Sequence, residues 1–195
     1  MDEPLAAHSF NEVRYFLMVS PCPHCGRGPL EIEDGFLPET APGPMHVPVV
    51  CKSCRRNRTT EARCEFARDE ADPLAINPSP RPSRIIDLTQ WLSLFYLLVE
   101  SASAEISRPA VREMGYQAAL CLVEALKFYS DNELPPEAAF FSESSRQTFH
   151  EHPGNFARQK LRDMQSKLPD LGAMARRLHR DTQGRTRQWW RFWRR

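Results

Sequence analysis

The sequence predicts an α+β protein, with a small β module at the N-terminal end and an α-helical bundle after it. Three observations carry this expectation. Two C-x2-C pairs, Cys22/Cys25 and Cys51/Cys54, are separated by a stretch long enough for the chain to run out and return. Short runs around them favour strand-forming residues or alternate apolar and polar ones, as half-buried strands do. Beyond residue 84 the apolar period changes to that of amphipathic helices, over two long segments.

The cysteines come first because they carry the chemistry. In C-x2-C-x25-C-x2-C, each pair sits on a tight turn that brings two sulfurs towards a common centre, and the second pair completes a tetrahedron. Zinc takes four thiolates in that geometry. Residues 10–20, FNEVRYFLMVS, are rich in aromatic and β-branched side chains and read as a strand. The first knuckle, Pro21–Gly28, follows, and residues 29–34 alternate as a return strand. Gly35 to His46, with Pro38, Pro42, Gly43 and Pro44, reads as a loop. Val47–Val50 is a short strand that delivers Cys51, and Thr59–Phe66 is the closing strand.

With CPHCG in the CPxCG form, this layout resembles a zinc ribbon over residues 10–68, and the module is expected to occupy residues 1–68. The glycine of such a knuckle supplies a positive φ. Arg55 stands where the second knuckle of the family has glycine, a departure that leaves the four ligands in place. The resemblance implies a structural zinc, a fold that depends on its metal, and no open coordination position for water. Iron uses the same ligand set, and spacing does not separate the two metals. CPHC also matches the active site of thioredoxin-fold oxidases. There a helix begins at the first cysteine, whereas here Gly26, Gly28 and Pro29 would break it and the second pair would have no role. His24 and His46 are spare beside four cysteines, and Cys64 and Cys121 read as small apolar side chains.

Residues 69–84, DEADPLAINPSPRPSR, are stiffened by Pro73, Pro78, Pro80 and Pro82 and form either a linker or a strap along a surface. The bundle is expected over 85–170. Its first helix runs from Ser83 as N-cap to Ala104, with Ile85, Leu88, Leu92, Phe95, Tyr96 and Val99 on one face, widened by Trp91 and Leu98. Leu94 and Leu97 lie outside that stripe and suggest a second covered surface. The second helix runs from Ser107 to Ser130, with Val111, Met114, Gly115, Ala118, Ala119, Leu122, Ala125, Leu126 and Tyr129 as its apolar face and Glu113, Gln117, Glu124 and Lys127 opposite. A helical turn is expected after Pro136, a short helix capped by Ser142, and a helix from Pro153 to Leu168 ended by Pro169. GYQAALCLVEALKFY resembles one tetratricopeptide unit, but no second copy follows at a fixed period. The ribbon with NPSPRPSRIIDLTQWL resembles bacterial proteins without an assigned activity, so that resemblance implies none.

The chain has 195 residues and a net charge of +1, which hides an asymmetry. Residues 171–195 hold eight arginines against one aspartate, leaving the rest acidic. In this tail Arg185, Arg187, Arg191, Arg194 and Arg195 alternate with Trp189, Trp190 and Trp193. Arginine forks bind phosphate and indoles stack on bases or sit at a lipid headgroup boundary. The tail is therefore expected to bind an anionic membrane surface or a nucleic acid; the plain structural alternative is that it folds back on the acidic body. The start, MDEPLAAHSFNEV, lacks the apolar core of a secretion signal, and Leu88–Val99 is too interrupted to cross a bilayer, which takes about 20 apolar residues. The expected location is the cytoplasm, peripheral to a membrane where the tail meets lipid.

No P-loop, dinucleotide turn or nucleophile elbow is present in the sequence. His150 and His152, two apart on a helix, point in opposed directions and cannot share an ion. The reading is a non-enzymatic zinc-ribbon protein with a helical module for a protein partner and a basic anchor. A nucleic-acid or ribosome-associated protein is the alternative, and a redox or hydrolytic enzyme the third.

Overall fold

A computed structural model describes residues 3–38, 43–66 and 75–168. The expected tail, Pro73, Pro169 and part of the loop before the third strand lie outside the described residues. The N-terminal half holds a four-stranded sheet with a helix, and four α-helices of at least 9 residues follow it among the described residues, so the protein mixes α and β. The strands are β1 (Leu5–Ala7), β2 (Leu30–Ile32), β3 (Gly43–Cys51) and β4 (Asn57–Cys64), in the order β1-β4-β3-β2. β3 pairs antiparallel with β4 and with β2, while β1 joins β4 in parallel. Met45, Val47, Val49 and Cys51 alternate inwards along β3, and Thr60, Ala62 and Cys64 do so along β4. The third strand begins at Gly43, inside the stretch expected as loop.

The main correction concerns residues 10–20, which form helix α1 (Phe10–Val19) and not a strand. The helix is buried on two sides. Val13 and Leu17 enter the core beneath the sheet, whereas Tyr15, Phe16, Met18 and Val19 pack against the core of the later helices. Two apolar faces erase the single stripe that marks an amphipathic helix, and the aromatic and β-branched content then imitates a strand. A helix start was nonetheless written in the sequence. Ser9 is the N-cap and accepts from the backbone N–H of Glu12, while Glu12 reaches back to accept from the His8 N–H at 2.5 Å.

The later helices are α2 (Leu88–Ala104), α3 (Arg108–Leu126), α4 (Glu143–Glu151) and α5 (Arg158–Ser166). Asp87, not Ser83, caps α2. It accepts from Gln90 N–H at 2.8 Å while the Gln90 side chain accepts from Asp87 N–H at 2.9 Å. Ser83 instead accepts from Ile85 and Ile86 N–H in the turn before the helix. Leu94 is buried with Trp91, Leu92, Phe95 and Leu98, whereas Tyr96 and Val99, expected inside, are exposed. Small residues Ala118, Cys121 and Ala125 let α3 pack closely on α2. Ser142 caps α4 as expected, accepting from Ser145 N–H. A 3-10 turn over Glu137–Ala139 follows Pro136. Pro153–Phe156 is also a 3-10 turn, so the expected single helix to Leu168 is broken at Ala157. Phe140, Phe149 and Phe156 stack into one cluster, with ring centroids 4.6 to 5.6 Å apart.

Residues 75–84 lie across the seam between the two cores. Pro78, Pro80 and Pro82 remove backbone donors, so the segment presents mainly carbonyls, and side chains from both sides donate to them. Ser9 Oγ donates to the Ile76 carbonyl and Asn11 Nδ2 to that of Ala75. From α3 and its end, Lys127 Nζ donates to the carbonyls of Asn77 and Ser79 at 2.8 and 2.9 Å. Asn77 N–H in turn donates to Glu124 Oε1. At the far end His8 Nε2 meets the Pro82 carbonyl, and Glu65 gathers His8, Arg81 and Arg84. Burial acts to raise the Glu65 carboxyl, but these partners hold it below its ordinary range.

Glu124 was expected on the wet face of its helix and is instead 3 % exposed. Burial pushes its carboxyl up to about 7, against the pull of Lys127 and the Asn77 N–H. A carboxyl raised above its unfolded value contributes stability at low pH that is lost as pH rises through its folded value. Denaturant unfolding of Glu124→Gln and wild type at pH 5.5 and pH 8 is therefore expected to diverge. Wild type should lose on the order of 1–3 kcal/mol relative to the variant at the higher pH. Parallel pH profiles would show that Glu124 does not titrate in the folded protein.

Candidate metal centre

The two knuckles are built alike. The first leaves α1 at Ser20 and turns through Cys22–Arg27; the second joins β3 to β4 through Cys51–Arg56. In the first, Gly26 N–H donates to the Cys22 carbonyl at 2.8 Å, and in the second Arg55 N–H donates to the Cys51 carbonyl at the same distance. Cys22 N–H donates to the Arg27 carbonyl, and Cys51 N–H to that of Arg56. The residue after the second cysteine has φ +67° at Gly26 and +60° at Arg55. The two loops are tied to each other by the Leu30–Cys51 pairing, by Lys52 N–H on the Pro29 carbonyl and by Ser53 Oγ on the Gly28 carbonyl.

This frame brings the four sulfurs together. All four Sγ atoms lie within 4.8 Å of one another, the one group of its kind among the described residues. Cys22 Sγ is 3.8 Å from Cys54 Sγ, and Cys25 Sγ is 3.7 Å from Cys51 Sγ. A regular tetrahedron with metal–sulfur bonds of about 2.3 Å has edges of about 3.8 Å. None of the six cysteines is in a disulfide. The donor set and its spacing therefore fit a single tetrahedral metal ion.

The electrostatics of the centre are uneven. Backbone N–H groups of Cys25 and His24 hold the Cys22 thiol down to about 7. At Cys25 a backbone contact with Arg27 acts downwards, but burial and the three neighbouring sulfurs push the thiol up to about 11. A bound cation removes that mutual repulsion and favours thiolates throughout, so metal uptake expels protons. Cys64, raised to about 11 by burial and the nearby Glu12, and Cys121, raised further by burial and Glu124, are inert by comparison.

His24, His46, His150 and His152 stand outside the sulfur group. His24 Nδ1 contacts the Arg56 guanidinium at 3.1 Å, His46 pairs with Glu61, and His150 lies 3.6 Å from Glu137. The anchor residues Arg185, Arg187, Trp189, Trp190, Arg191, Trp193, Arg194 and Arg195 lie outside the described residues. No helix among the described residues is long and apolar enough to cross a membrane. The buried pair Glu12 and Glu124 escaped the sequence reading, although the Ser9-x-x-Glu12 cap signal would have found the first. No protein family, curated protein or solved structure matches this chain.

Arg55 is the one described non-glycine residue at positive φ. That conformation costs a residue with a Cβ roughly 1–2 kcal/mol. Arg55→Gly is expected to raise stability by about 1 kcal/mol, and Gly26→Ala to lower it by a similar amount. Thermal or denaturant midpoints of the two variants, measured beside wild type, test the equivalence of the knuckles. A loss of stability in Arg55→Gly would contradict it.

Proposed function

We propose that this is a non-enzymatic zinc-ribbon protein, in which Cys22, Cys25, Cys51 and Cys54 hold a structural zinc ion. The observation that carries the reading is the tetrahedral spacing of four sulfurs on two matched knuckles. Four thiolates leave no position for a reacting water, so the ion acts on folding and not on a substrate. The ribbon here is a variant in which helix α1 stands where a strand leads into the first knuckle. The helical part serves a protein partner, and the Trp/Arg tail attaches the molecule to an anionic surface.

Support for the partner role comes from the outer face of α2, where Tyr96 and Leu97 are about half exposed, and from Ile106 beyond its end, which is 95 % exposed. Support for the anchor comes from the composition of residues 171–195 alone.

Purified protein is expected to contain one zinc per chain by elemental analysis. Cys51→Ser should lose it and become protease-sensitive around the knuckles, because a ribbon this small has little core without its ion. Metal-free protein that keeps the protease resistance of the wild type would end the structural-zinc reading.

Removing residues 171–195 is expected to leave the described fold intact, since both cores are built from described residues, which end at Leu168. Binding to phosphatidylserine vesicles, followed by sedimentation, should fall sharply in the truncated chain and be the more salt-sensitive in the full one. Equal binding by both chains would remove the anchor from the reading.

A further inference from the structure

Arg55 adopts a backbone conformation that glycine would accept without cost. Strain of this kind persists only where the surrounding structure holds it and clusters at functional sites, so the outlier is a starting point for function. Its surroundings supply the rest. Arg27, Arg55 and Arg56 are exposed, as is His24, and all four belong to the two knuckle loops that the Leu30–Cys51 pairing holds together. The internal symmetry of the knuckles makes Arg27 and Arg56 equivalent positions, each accepting at its carbonyl from the first cysteine of its own loop. None of the three arginines forms an ion pair with a carboxylate among the described residues, and the Arg56 guanidinium contacts His24 Nδ1 at 3.1 Å. Lys52, by contrast, is engaged with Glu31 at 2.6 Å.

We infer that the knuckle face carrying Arg27, Arg55 and Arg56 is a binding surface for the phosphodiester backbone of a nucleic acid. Guanidinium forks match phosphate oxygens, and the exposed His24 ring adds a flat group on which a base can stack. A lipid surface fits less well. None of the large exposed apolar side chains among the described residues belongs to the knuckles, so nothing there can enter the acyl layer.

The competing explanation is local. Zinc with four thiolates carries a net double negative charge, which nearby arginines offset. That role asks for positive charge near the sulfurs and gives no reason to place it at a left-handed position. The inference rests on the zinc reading only for the rigidity of the loops.

The test uses the full metal-loaded chain and a fluorescein-labelled oligouridylate. Anisotropy titrations across a NaCl series give the slope of log affinity against log salt. Each phosphate contact to a single strand contributes about 0.7 to that slope. R27Q/R55G/R56Q is expected to flatten it by about 2, and R55G alone by about 0.7 while the midpoint of unfolding rises. R108Q/R112Q/R162Q, which removes three exposed arginines from α3 and α5, should leave it unchanged. Zinc content is measured on every sample, so loss of metal in wild type counts against the zinc reading and leaves the slope comparison standing. If the triple variant loses zinc, R55G decides. An unchanged slope in a stable R55G overturns the inference, as does equal flattening in the control. Equal loss of phosphatidylserine-vesicle binding by the triple variant would also overturn it, in favour of a general anionic surface.

Discussion

Helix α1 is buried on two sides, and the rest of the structure depends on that. One side closes the core under the sheet and the other closes the core of the later helices. Tyr15 meets Trp91 of α2, with ring centroids 6.0 Å apart, while Val13 and Leu17 lie among the inward residues of β3 and β4. The same helix ends at Ser20, two residues before the first sulfur. The position of Cys22 is therefore set by packing in the helical half as well as by the sheet. The four-sulfur site and the core of the later helices share one rigid element.

Burying both sides of a helix requires that its polar groups be satisfied internally. Glu12 shows how far this is achieved. One carboxylate oxygen accepts from His8 N–H, and the other is buried with no hydrogen-bond partner among the described residues. Glu124 repeats the arrangement from α3, with Oε1 engaged and Oε2 buried and unpaired. Buried acceptors without donors are costly, and a carboxyl lowers that cost by taking up a proton. At the seam this applies to Glu124, whose carboxyl is raised by burial.

The sulfur site was legible because its chemistry depends on spacing along the chain, and spacing survives without a structure. β3 with β4, the apolar stripe of α3 and the Ser142 cap were legible for a similar reason: each carries a periodic pattern or a local signal along the chain. α1 was not, because a helix between two cores has no solvent face to mark its period. Tyr96 and Val99 misled in the opposite sense, being residues at helical spacing that the described residues cover only in part. Glu124 was misplaced because a charged residue opposite a stripe reads as wet. Only the arrival of residues 75–84, from far along the chain, turns that side inwards. β1, three residues long and paired in parallel with a strand more than fifty positions away, leaves no local trace.

The proline-rich segment over the seam has a further consequence for how the chain finds its native pairing. A strand ladder repeats every two residues, so a strand can slip by two and still satisfy its backbone. Residues 75–84 have no such repeat to slip along. Five of their carbonyls are met by four side chains of different length, Ser9, Asn11 and His8 each taking one and Lys127 taking two. Only one alignment satisfies all of them, and with N–H groups missing at Pro78, Pro80 and Pro82 one side of the segment cannot support a strand ladder. The join between the two cores works as a keyed fit, which admits a single setting.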